Sequence, residues 1–110
     1  MTPLALKQFA IAIVCAGSLM ASPAWASKKL IRAKGCMECH DAQNAKIGPS
    51  WRQIGKLYKR VDAEAALATK IRSGAAEHWG PNVMTPPAAR GVEISEAQAR
   101  SMAHYILRYR

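Results

Sequence analysis

Cys36 and Cys39 stand two residues apart, and His40 follows at once, in the stretch Gly35-Cys36-Met37-Glu38-Cys39-His40. About one helical turn separates the thiols, so both can reach a single planar group. Two thiols so spaced can add to the two vinyl groups of one porphyrin, with the adjoining imidazole meeting its iron. This is the spacing of covalent c-type haem attachment. A ligating imidazole usually donates its second N–H to an acceptor that fixes the ring. The carbonyl of Pro49 is a candidate, since proline has a carbonyl and no competing amide N–H.

The other face of the iron needs its own ligand, and Met84 is the candidate. It sits in a stretch from Gly74 to Gly91 that holds Gly80, Pro81, Pro86 and Pro87 and no helical period. A loop that long inside a small domain needs a task, and delivering Met84 to the iron would be one. Met102 and His104 are rivals, but Met102 lies on an apolar helix face and His104 on an exposed one. His78 is the stronger rival, because imidazole binds iron well; it would make the haem bis-histidine, and with no second ligand it would be five-coordinate. Three other chemistries also use these residues. Thioredoxin-like exchange expects a strand–helix context that the chain lacks. A zinc site would need Cys36, Cys39, His40 and a distant His78 or His104. A plain disulfide suits an exported protein.

The elements that must position these groups read as helices. Ser27 to Gly35 alternates apolar residues with Lys and Arg and stops at glycine. Ser50 with Gln53 has capping-box spacing before a helix over 51–58, following the loop signal Gly48-Pro49. Asp62 is placed to cap a helix over 63–72, with Leu67 and Ile71 on one face and Gly74 at its end. Ser95 and Gln98 repeat the capping box, with Ile94 as a staple. Ala99, Met102, Ala103 and Ile106 then form an apolar stripe. No strand alternation or internal repeat is present.

The chain has 110 residues and a net charge of +9. Lys7, the apolar run Phe9–Met20 and Ala24-Trp25-Ala26 make residues 1–26 a secretory signal peptide, with residues 27–110 as the mature domain. The apolar run is short for a membrane span, so stable insertion after cleavage is not expected. The bulky Val14 before Cys15 argues against a lipoprotein site. The removed segment holds one lysine and no acid, which lowers the charge from +9 to +8. The basic residues are scattered, and an exported chain rarely meets nucleic acid. Their sum favours acidic protein partners. So small a domain needs a staple, and a buried haem would supply one.

At this point the chain resembles the small bacterial class I cytochromes c, monohaem electron carriers of the periplasm. The resemblance runs from about Lys29 to Tyr109. It rests on Lys34-Gly35-Cys36-Met37-Glu38-Cys39-His40, on Ile47-Gly48-Pro49, on Trp79-Gly80-Pro81-Asn82-Val83-Met84-Thr85-Pro86-Pro87, and on the last helix. It implies an all-α fold of about four short helices wrapped around one haem c held by two thioethers. Cys36 and Cys39 would bind the haem, and His40 and Met84 its iron. Pro49 would receive the histidine N–H. Trp79 would donate to a propionate, and Lys70 stands where the family has a basic propionate partner. Gly35 and Tyr105 fall where the family packs its first helix against its last.

The implied function is one-electron transfer without enzyme activity, since two filled axial positions keep substrate from the iron. Partners would be acidic periplasmic oxidases, reductases or dehydrogenases, docked transiently by a monomer. A cytochrome subunit of a periplasmic oxidoreductase is the alternative. An open-site haem enzyme or gas-binding protein is a further one.

Overall fold

The computed structural model describes residues 24–76 and 83–109. Four α-helices run in the order α1 (Ala24–Ala33), α2 (Trp51–Leu57), α3 (Ala63–Ser73) and α4 (Glu96–Ile106), with 3₁₀ turns at Cys36–Glu38 and Pro87–Arg90. The described residues contain no strand, only an isolated antiparallel bridge between Ala75 and Met84. The fold is all-α, as the helical periodicity requires.

α3 packs along α4, and α1 packs against α4 as well. The stripe on α4 explains this. Ala99 and Ala103 are wholly buried, and Met102 and Ile106 are nearly so. Small side chains at two stripe positions let neighbouring helices approach closely, while Met102 and Ile106 fill the space between. Ile31 of α1, Ile54 of α2, and Leu67 and Ile71 of α3 complete one apolar core. No buried side-chain nitrogen or oxygen among the described residues lacks a hydrogen-bond partner. No described helix is long and apolar enough to cross a membrane.

Both capping boxes form. Ser50 Oγ accepts from Gln53 N at 3.1 Å, and Gln53 Oε1 accepts from Ser50 N at 2.8 Å. Ser95 and Gln98 make the same reciprocal pair, each bond at 3.0 Å. Ser50 is completely buried, so its hydroxyl has no water to fall back on. Ser50→Ala should therefore lower stability by about 1–2 kcal/mol, the upper part of the range for a lost N-cap. Denaturant unfolding measures this, and Ser95→Ala, at an exposed cap, should cost less.

Three local expectations are corrected. Asp62 precedes α3 but makes no side-chain cap. Its carboxylate pairs instead with Arg60 at 2.8 Å, and a guanidinium two residues away outcompetes a backbone amide. α1 begins at Ala24 rather than Ser27 and runs across the Ala26–Ser27 junction. The stretch 74–91 is not wholly irregular: Pro87, with its φ preset, opens a short 3₁₀ turn.

Candidate functional site

The Cys36–Glu38 turn folds the motif tightly. Cys36 O accepts from Cys39 N at 3.2 Å and from His40 N at 3.0 Å. The next loop is tied back by Gly48 N to Cys39 O at 2.7 Å. α2 is docked onto the same loop through its first amides, Trp51 N to Asp41 O at 3.0 Å and Arg52 N to Ala42 O at 3.2 Å. A helix leaves its first N–H groups without internal partners, and here the residues after the motif take two of them. Asp41 Oδ2 also accepts from the amides of Gln43 and Asn44, each at 2.9 Å. Those amides hold the exposed carboxyl below its ordinary range.

His40 is held from three sides. Its Nδ1 lies 2.6 Å from Pro49 O. A carbonyl only accepts, so Nδ1 carries the hydrogen and Nε2 keeps its lone pair. Trp51, buried at the start of α2, stacks on the ring with centroids 4.8 Å apart. Gly48 is the third side. A Cβ there would stand 2.6 Å from His40 Cε1 and 2.9 Å from Nδ1. Burial lowers the His40 pKa, opposed in part by the Pro49 bond, so the ring is neutral at pH 7 and able to donate its lone pair. Gly48→Ala should displace the imidazole, because Trp51 leaves it no free retreat. The expected cost is about 1–3 kcal/mol of stability, the range for overpacking. Unfolding together with the visible spectrum of the haem protein measures both consequences.

Met84 arrives from the other end of the chain. Its N–H donates to Ala75 O at 2.7 Å, and its carbonyl accepts from Ala75 N at 3.0 Å. Gly74, with φ 80° and ψ 175°, allows this approach. Any side chain there would collide with the Met84 carbonyl and meet Pro86 at 3.0 Å.

Cys36, Cys39, His40 and Met84 line one cleft. Its remaining walls are largely apolar, with Ile54, Leu67, Ile71 and Ile106 among them. Met102 lines it too while staying in the core. Cys36 and Cys39 are free thiols. Burial pushes the Cys36 thiol up, and Arg90 nearby pulls it back down in part. These groups fit a covalently held haem: two thiols, a neutral imidazole with one nitrogen free, a thioether and apolar walls. No cluster of three or more His, Cys, Asp or Glu able to hold a metal ion alone occurs among the described residues.

Lys70 is half-buried and lines the same cleft. Trp79 and His78 lie outside the described residues. His104 is exposed on α4, 3.0 Å from Glu64, away from the cleft. Gly35 follows α1 with φ 77°, and Tyr105 packs against the core. Two contributors were missed from sequence: Trp51 and Arg90. Trp51 carried a signal, an aromatic at the first turn of the helix behind Gly-Pro. Arg90 carried none, because the 3₁₀ turn that brings it to the cleft was not foreseen.

The family model for cytochrome c matches residues 25–109. Cytochrome c-552 of Hydrogenobacter thermophilus is 35% identical over 93% of this chain and 97% of its own length. Cytochrome c-551 of Pseudomonas aeruginosa is 33% identical over the same shares, 93% and 97%. The crystal structure of wild-type Nitrosomonas europaea cytochrome c552 superposes with a TM-score of 0.69 at 31% identity, covering 76% of this chain and 99% of that one. The chain therefore belongs to the cytochrome c family, as a small class I monohaem member that carries electrons on one covalently attached haem c and is not an enzyme.

Proposed function

We propose that residues 1–26 are a signal peptide removed after Ala26, and that residues 27–110 carry single electrons between periplasmic redox proteins. Cys36 and Cys39 hold the haem. His40 and Met84 ligate its iron, Pro49 fixes the imidazole, and Lys70 and Trp79 receive propionates. The observation that carries this reading is the His40 ring, neutral and pinned at Nδ1 by Pro49, in one cleft with both thiols and Met84. Haem, once bound, supplies the one-electron couple. The thioether of Met84 favours ferrous iron, and the apolar walls disfavour the added ferric charge, so both raise the potential.

The partners are acidic redox proteins. The charge of +8 after removal of residues 1–26 from the +9 chain favours their approach. Ile47 and Val83, both exposed at 61%, line the haem cleft and give a partner apolar contact. A visible spectrum with redox titration of the exported protein tests the cofactor and ligand set together. Electron transfer to an acidic redox protein should slow with added salt, and a salt-independent rate would remove the charge-steering reading.

A further inference from the structure

Residues 92–95, between the Pro87–Arg90 turn and α4, have no repetitive structure. Two successive carbonyls in this segment are held by cations from elsewhere in the chain. Lys34, just past α1, donates from Nζ to Glu93 O at 2.5 Å. Arg72, in the last turn of α3, donates from Nε to Ile94 O at 3.1 Å. Hydrogen bonds with a charged donor are roughly twice as strong as neutral ones.

The segment they hold is the distal wall of the haem cleft. Pro87 and Ile94 both line that cleft, and both also line a second cleft on the outer surface, with Val92, Ala88 and Arg100. Pro87 and Ile94 thus stand between the two clefts. Val92 N donates to Pro87 O at 3.0 Å, which ties the two halves of the wall to each other. Upstream, Met84 is fastened to Ala75. The C-terminal end of α3 thus grips this stretch twice, at Met84 through Ala75 and at Ile94 through Arg72, and Lys34 adds a hold from α1.

We infer that Arg72 and Lys34 are positioning residues that keep the Met84 segment closed over the haem cleft. They touch neither the cofactor nor the sulfur. They act through the carbonyls of Glu93 and Ile94, which set the wall that follows Met84. With these holds removed, the segment would keep only the Ala75 bridge and the packing of Pro87, Val92 and Ile94, and the distal ligand would leave more often. The consequence for the iron rests on the proposal that Met84 is its ligand.

The test uses the haem-loaded Arg72→Ala/Lys34→Ala protein beside Arg52→Ala/Lys56→Ala, which removes two exposed charges from α2 instead. Carbon monoxide binding to the reduced protein must wait for the distal ligand to leave. Its rate should rise about tenfold in the first variant, the size expected from losing charged hydrogen bonds that are partly exposed. The α2 variant should match the parent, and Arg72→Lys, which keeps a cationic donor, should recover most of the effect when combined with intact Lys34. Amide hydrogen exchange gives a second readout that does not depend on the ligand. Met84 and Val92 should exchange faster in the Arg72→Ala/Lys34→Ala protein, while Ile54 and Tyr58 should not. Equal carbon monoxide rates in the two double variants, or unchanged exchange at Met84 and Val92, would overturn the inference. If Met84→Ala leaves the spectrum of the parent unaltered, it is the ligand assignment that fails, and exchange at Met84 alone then decides whether the cations hold the segment.

Discussion

Met84→Ala should convert a closed haem protein into an open one. The long-wavelength sulfur-to-iron band of the oxidised protein should vanish. The reduced protein should bind carbon monoxide at neutral pH. The potential should fall by a sizeable part of the ~0.8 V range that axial ligands span, because a thioether stabilises ferrous iron and water does not. The fold should survive. Met84 is only partly buried, and its backbone bonds to Ala75 do not need its side chain. Truncation should therefore cost less than the about 2–5 kcal/mol typical of a core methionine. Absorption spectroscopy with redox titration reads the outcome. Persistence of the band and the potential would transfer the distal role to another sulfur, with Met102, which also lines the cleft, the first to test.

Gly74→Val should do similar damage by a different route. At φ 80° and ψ 175° the backbone sits in a region essentially reserved for glycine, and a side chain there costs on the order of 1–3 kcal/mol in strain alone. The Cβ would also strike the Met84 carbonyl and crowd Pro86 at 3.0 Å. Those neighbours are backbone and a proline ring, so neither can swing aside. The Ala75–Met84 bridge should break, and the sulfur should lose its place. Stability should fall by about 3 kcal/mol or more, the sum of strain and overpacking. The sulfur band should weaken even in the fraction that stays folded. Gly91→Val is the informative comparison. Gly91 has a similar φ of 75° but nothing within 4 Å of its Cβ position. It should show the strain without the loss of the band.

The parts of this molecule that were legible in sequence are those whose causes are local. Ser50 with Gln53 and Ser95 with Gln98 are three residues apart, and both boxes form as the spacing requires. The α4 stripe is periodic, so its buried face could be named in advance. Cys36, Cys39 and His40 fall within five residues, so their convergence on one cleft is local. Asp62 shows where local reading stops: a residue equally suited to an N-cap, at the same kind of position, is drawn off by Arg60. Lys34 lies 59 residues from Glu93 and Arg72 22 residues from Ile94, and no pattern of residue types marks a cation aimed at a distant carbonyl. Gly48 and Gly74 were visible as turn and stop signals. Their closeness to His40 and Met84 depends on how separate segments meet, which only the assembled fold displays.

The three-sided hold on His40 bears on how fast an electron can pass. Each transfer requires the ligands to reach, for an instant, a geometry halfway between those of the two oxidation states. A ring free to turn about its own bond would add that rotation to the barrier. With Pro49 fixing its tilt, Trp51 its plane and Gly48 its closest approach, the imidazole, as the proposed iron ligand, would keep one orientation in both oxidation states. The cost of orienting the ring would then be met once, during folding, rather than at each transfer. Gly48, which has no side chain and no chemistry, would thereby contribute to the speed of the couple as well as to its assembly.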